Sequence, residues 1–245
     1  MKKLLSPLFA LLICLTVQHA VAQQEHAVIQ IPIGALQAAY RASFGNNPDF
    51  SNYTQLALAI NRCKAQYFPN ASGGFWNGVI TENNADHSQD SYSIVTIGQG
   101  SFPRNPQAAP KRFLKDVFQA AIGRPADLDS YPDLAVALDR YNQQYIHCSG
   151  GFWNGEHAML NGADTRGIVW VQSPNEPQNI PVSELVASFQ SRMQRAPDFS
   201  VWGDMALAVT GWIQDHEPGK ALGGFWDGEQ TNPPPNTVYG VVLVR

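Results

Sequence analysis

An α+β fold of three tandem helix-helix-β-hairpin units is predicted by three features of the sequence. GGFWNG occurs at 73–78 and again at 150–155, and GGFWDG stands at 223–228. Aligning Pro32, Pro110 and Pro181 carries two successive helical stripes into register without a gap. Each copy then ends in a strand-like run, YSIVTI, RGIVWV or YGVVLV. Self-similarity of this kind is the signature of a repeat architecture, in which one unit cannot bury its apolar face alone. The units run from about 31 to 97, 109 to 171 and 180 to 245. Neither terminal unit carries the distinct cap that an open solenoid requires. The expected arrangement is therefore closed, with pseudo-threefold symmetry, strands near the axis and helices outside.

The first 22 residues have the layout of a secretory signal: Lys2 and Lys3, an apolar stretch from Leu4 to Val17, and Ala20-Val21-Ala22 as a small-x-small cleavage site. The predicted mature chain, 23–245, is one domain in the periplasm or secreted. No other apolar run approaches the ~20 residues that span a bilayer, so no membrane anchor is expected. Without the two leader lysines, fourteen basic residues face twenty acidic ones, a net −6. That balance argues against nucleic acid or an anionic membrane as partner.

AVIQI at 27–31 reads as an N-terminal strand ahead of Pro32. In the first helix of each unit Leu36/Leu114/Leu185, Tyr40/Phe118/Phe189 and Phe44/Ile122/Met193 recur at spacing four, one apolar stripe, with Pro near the first turn where a missing N–H costs nothing. NPDFS, PADLD and APDFS follow as short loops, and Ser51, Asp129 and Ser200 are the expected N-caps of a second helix. Its inward face reads Tyr53-Leu56-Ile60-Cys63-Tyr67, Tyr131-Leu134-Leu138-Tyr141-Tyr145 and Trp202-Met205-Val209-Trp212-His216. Glycine pairs with aromatics then favour a strand over a helix. The Pro-rich pieces SFPRNPQAAP and QSPNEPQNIP read as linkers, and NPPPN at 232–236 as an interstrand loop.

FLKDVFQAAIGRPADLDSY at 113–131 resembles the helix-loop-helix repeats of a bacterial secreted-protein family of unknown function, whose pattern is an aromatic-rich helix, Leu-Gly-Arg-x-Pro-Asp and a second helix. The likeness covers under a third of each unit. FGNNPD and MQRAPD stand in the other two, and the hairpin lies outside the pattern. It implies an exported repeat protein and no chemistry.

The repeated hexapeptide admits two readings. In one it is a structural corner: the glycines take conformations closed to other residues, Phe and Trp plug an interface, and Asn-Gly or Asp-Gly turns the chain. In the other, Trp76, Trp153 and Trp226 are stacking platforms with Asn77, Asn154 and Asp227 as hydrogen-bonding partners, which suits a saccharide with apolar C–H faces and a hydroxyl rim. Three weak copies would then gain avidity for a polymer such as a cell-wall glycan. Pleating opposes this second reading unless a bulge turns Trp and Asn to one side. An envelope protein as partner, with this chain as interaction module or inhibitor, is the alternative.

Asp49, Asp127 and Asp198 suit turn capping; the loops lack the oxygen pattern of a calcium site, so no metal and no cofactor are expected. No G-x-S-x-G, phosphate loop, H-E-x-x-H or C-x-x-C pair is present. A secreted hydrolase using Glu156 with Asp164 is the remaining enzyme reading, and no catalytic residue is assigned. Cys148 beside His147 reads more simply as a disulfide partner of Cys63, inside an oxidising compartment.

Overall fold

Pro32, Pro110 and Pro181 each end a strand and open a helix. Their backbones are extended, with φ near the −65° that the pyrrolidine ring imposes, and they occupy the N-cap position where an N–H is dispensable. The computed structural model describes residues 26–85, 90–98, 107–160, 162–172 and 177–245. The leader and most of both Pro-rich joints lie outside these residues. The described elements are β1 (Ala27–Pro32), α1 (Ile33–Phe44), α2 (Tyr53–Tyr67), β2 (Ala71–Thr81), β3 (Ser91–Gly98), β4 (Gln107–Pro110), α3 (Lys111–Ile122), α4 (Tyr131–Tyr141), β5 (Gly150–Leu160), β6 (Ala163–Val171), β7 (Gln178–Pro181), α5 (Val182–Met193), α6 (Trp202–His216), β8 (Gly223–Thr231) and β9 (Val238–Val244). A single π-turn, Asn142–Ile146, continues α4.

The class is α+β, with six α-helices among the described residues and three antiparallel sheets ordered β1-β3-β2, β4-β6-β5 and β7-β9-β8. Two strands depart from the sequence reading. The ends of the supposed linkers, Gln107–Pro110 and Gln178–Pro181, pair with β6 and β9 as β1 pairs with β3. The strand before Pro32 is thus not an addition to the first segment; each segment has one.

The first-helix stripe is buried for two rows and not for the third. Leu36, Leu114 and Leu185 are inaccessible and Tyr40, Phe118 and Phe189 are buried, whereas Phe44, Ile122 and Met193 are exposed. The last turn has cleared the core by then, and the left-handed residues Gly45, Gly123 and Gln194 end each helix there. In the second helices the middle of each stripe is buried. Tyr145 and His216 at the far end are exposed, and Tyr53, Tyr131 and Trp202 at the near end are half-buried.

The N-caps fall one residue later than expected, at Asn52, Ser130 and Val201. Asp49, Asp127 and Asp198 take the backbone N–H groups of Ser51, Asp129 and Ser200 at 3.0, 3.1 and 3.0 Å, so those three residues belong to a side-chain turn ahead of the cap. Behind two of these turns lies an ion pair. Arg124 grips Asp133 through two nitrogens at 2.6 and 2.5 Å, and Arg195 grips Asp204 at 2.6 Å through both. The same carboxylates accept from the N–H of Asp127 and Asp198. In the first segment Asn46 and Gln55 replace the pair together, and the Gln55 amide oxygen takes the Asp49 N–H at 2.7 Å.

These contacts hold the Asp133 and Asp204 carboxyls below the usual carboxylate range, through the arginine hydrogen bonds first. A depressed folded pKa contributes stability that is present above the unfolded value, ~3.9, and is lost as pH falls through the folded one. Asp133→Asn and Asp204→Asn are therefore expected to destabilise the protein at pH 7 and to flatten its loss of stability below pH 4, read by urea melts at several pH values.

Cys63 and Cys148 are free thiols, and the expected bridge is not formed. Cys63 packs among Leu36, Tyr40 and Leu56, while Cys148 packs against the separate cluster around Phe118 and Trp153. Burial pushes both thiols up to about 11. Neither should react appreciably with a thiol-disulfide reagent at pH 7 until the protein is unfolded, after which both should. Among the described residues no helix is long and apolar enough to cross a membrane.

The segments interlock through their neighbours. Strand β2 packs on α6, β5 on α2 and β8 on α4, so the hairpin of each segment lies on the second helix of a different one. A shared cluster holds Val95, Ile97, Val169, Val171, Val242 and Val244 from the three middle strands, together with Phe75, Phe152 and Phe225.

Candidate functional site: an aromatic pocket between the segments

The hexapeptide motif builds this meeting place residue by residue. A Cβ on the first glycine of each copy would lie 2.8 Å (Gly73), 2.6 Å (Gly150) or 2.6 Å (Gly223) from a methyl of Val169, Val242 or Val95, so the missing side chain admits the middle strand of another segment. The last glycine serves a second helix. Gly78, Gly155 and Gly228 have φ of 93°, 87° and 101°, and a Cβ there would meet the backbone of Leu207, Leu58 and Ala135 at 2.8, 2.9 and 2.5 Å. Only glycine meets both demands.

Between the glycines the strand bulges, with register breaks at Trp76/Ile80, Trp153/His157 and Trp226/Gln230. Side chains of the motif satisfy the bulge. Asn77 Oδ1 accepts from the Val79 N–H, and Asn154 Oδ1 from that of Glu156, both at 3.0 Å. The Trp76 indole N–H donates to the Val79 carbonyl, and that of Trp153 to the Glu156 carbonyl, both at 2.9 Å. Asn77 Nδ2 donates to Ser93 Oγ at 3.1 Å.

The residues read as saccharide contacts differ among themselves in exposure. Trp153 is 1% and Trp226 7% exposed, Trp76 is half-buried, and Asn77 and Asn154 are buried with their amides committed to the bulge. The Trp153 and Trp226 indoles thus show almost no face to solvent, and the Asn77 and Asn154 amide oxygens are turned onto their own strand. The side chain of Asp227 lies outside the described residues. Tyr92 packs on Trp76 with centroids 5.2 Å apart and Tyr239 on Trp226 at 5.1 Å. At the equivalent position on Trp153 the buried Arg166 guanidinium lies 4.4 Å from the ring, so a cation–π contact stands where the other segments use an aromatic pair.

Glu156 and Asp164 do not present a free carboxylate pair. Glu156 accepts from Arg62 and Asn61 of the first segment, and Asp164 lies 3.5 Å from Lys111. Among the described residues no group of three His, Cys, Asp or Glu side chains is disposed to hold a metal ion.

Where the three motifs converge there is a pocket. Phe75, Phe152 and Phe225 contact one another edge to face, with centroids 5.4, 5.5 and 5.7 Å apart. Its walls come from seven positions, each represented once in every segment: Gly74/Gly151/Gly224, the three Phe and the three Trp from the strands, and Tyr53/Tyr131/Trp202, Leu56/Leu134/Met205, Ala57/Ala135/Ala206 and Ile60/Leu138/Val209 from the helices. The cavity measures about 60 Å³. The rings of Tyr131 and Trp202 lie 5.6 and 5.3 Å from that of Tyr53. The Tyr53 hydroxyl donates to the Trp153 carbonyl at 2.9 Å, and burial pushes this phenol far up. The sequence named these aromatics only as the first members of buried stripes. Their common signal was three aromatics at the first position of three aligned helices.

No protein-family model, no curated protein and no solved structure matches the chain. Function must rest on the pocket.

Proposed function

We propose that this is an exported binding protein, a closed ring of three strand-helix-helix-hairpin units about a pseudo-threefold axis, that holds one compact apolar group on that axis. The single observation behind this reading is the pocket wall, in which every position recurs in all three segments and nearly every side chain is apolar. Ring closure is supported by the cyclic packing of β2 on α6, β8 on α4 and β5 on α2. A narrow apolar space of this kind holds water poorly and gains free energy by taking up apolar matter. Its volume suits a group of a few carbon atoms or a single xenon atom, and its polar contacts are too few to orient a sugar. The motif thus serves as scaffold and the axis as site, in place of three separate glycan platforms.

Xenon, which enters small apolar cavities, is the direct probe. Methyl resonances from all three segments should shift together on adding xenon, with saturation at one site. Ala206→Leu adds three carbons at a half-buried wall position and should abolish the shifts while leaving the circular dichroism spectrum unchanged. Shifts that persist in Ala206→Leu, or that are absent from the parent protein, would remove the reading.

A further inference from the structure

We infer that the axial pocket is entered past Trp202, and that Tyr53 and Tyr131 form the fixed part of its mouth. This rests on the proposal that the pocket binds a compact, uncharged apolar molecule, and it adds the route and the moving part. The three mouth residues hold the same helical position, the first residue of α2, α4 and α6, so differences among them are differences in restraint.

Tyr53 is held at both ends. Its hydroxyl is bonded to Trp153 of another segment, and the helix it opens is capped by Asn52, whose side chain accepts the Gln55 N–H at 3.2 Å. Tyr131 is followed by Pro132, whose ring fixes φ in the first turn of α4. Trp202 has neither a side-chain cap on its helix nor a proline beside it. Its N-cap is Val201, exposed and unable to accept a hydrogen bond. Its indole N–H reaches the Ser51 carbonyl only at 3.4 Å, near the outer limit of a hydrogen bond. The next residue is Gly203, where the other two helices have Thr54 and Pro132, and glycine leaves the backbone its widest freedom. A Cβ at 203 would meet only the edge of Trp76, at an ordinary contact distance of 3.7 Å, so a side chain is accommodated at this position. The Tyr53 ring touches those of both Tyr131 and Trp202 across the mouth, so one must swing for anything to pass. Trp202 packs edge to face on Trp76, with centroids 5.0 Å apart, but it has no close hydrogen bond, no side-chain cap and no proline beside it, which leaves it the least restrained of the three.

The chain supplies its own test variant. Gly203→Pro copies the first turn of α4 into α6. In xenon-exchange NMR on the whole mature protein, entry and exit rates should both fall about tenfold while affinity is unchanged, as expected for a gate that contributes little to the bound state. Thr54→Pro, the same change beside Tyr53, should leave the rates as they were. Equal slowing in both variants, or none in Gly203→Pro, overturns the inference while the pocket stands. Xenon failing to bind the parent protein overturns both. Solvent exchange of the indole N–H groups gives a readout without ligand: the Trp202 proton should exchange much faster than that of Trp153, and Gly203→Pro should slow it. Should Gly203→Pro fail to fold, Trp202→Tyr, which reproduces the other two mouth residues with a smaller ring, should speed xenon exchange several-fold; unchanged exchange would overturn the inference.

Discussion

Replacing Gly228 by alanine is expected to cost about 3–5 kcal/mol, enough to leave much of the protein unfolded if its total stability is ordinary. Two effects add. The φ of 101° strains any residue with a side chain, and the new Cβ would stand 2.5 Å from the Ala135 carbonyl carbon. Backbone of a buried helix cannot step aside as a flexible side chain can, so the strand must lift away from α4 and reopen the contact between two segments. Gly78→Ala meets the backbone nitrogen of Leu207 at 2.8 Å and should be next in severity. Gly123→Ala is the control. It has a φ of 83° with nothing within 4 Å, so it carries the backbone strain alone and should cost about 1–2 kcal/mol. The gap between Gly228→Ala and Gly123→Ala in denaturant melts measures the close packing of hairpin on helix.

Trp153→Ala should cost a comparable ~3–5 kcal/mol. Trp153 is among the largest fully buried side chains, and its removal also takes away the ring over which Arg166 lies. The buried guanidinium would then face a void, a further penalty because a buried charge depends on its neighbours. Trp76→Ala should be milder, since Trp76 is half-buried and pairs with Tyr92 instead of a charge. A saccharide platform predicts the opposite pattern, with weakened glycan binding and an intact melting temperature. Melting temperatures of the two variants separate the readings.

The helices were legible because their stripes follow a 3.6-residue period that needs no partner to be seen. What the period does not carry is where the stripe meets its neighbour. Phe44, Ile122 and Met193 keep the spacing and yet stand in solvent, because the last turn of each first helix runs past the core of its own segment. β4 and β7 were hidden by their shortness: QAAP and QNIP show no alternation and sit beside prolines, and only their alignment with AVIQIP ahead of Pro32 betrays them. The N-caps shifted by one because Ser51, Asp129 and Ser200 give their own N–H groups to Asp49, Asp127 and Asp198 and so belong to the turn ahead of the helix. The hexapeptide was legible as a recurring corner, and its bulge was the device the saccharide reading needed. The bulge instead turns Asn77 and Asn154 onto their own backbone. The pocket itself could not be read, since every wall is shared among segments far apart in sequence, and no local pattern records which hairpin covers which helix.

In the proposed ring, three segments converge on one axial site. The most direct measurement is the set of intermolecular Overhauser contacts from a bound short alkane, such as isobutane, to assigned methyl groups. One bound molecule touching Leu56, Leu134 and Met205 at once, each from a different segment, is the predicted result. Contacts confined to a single segment, or three independent sites each near one tryptophan, would contradict it.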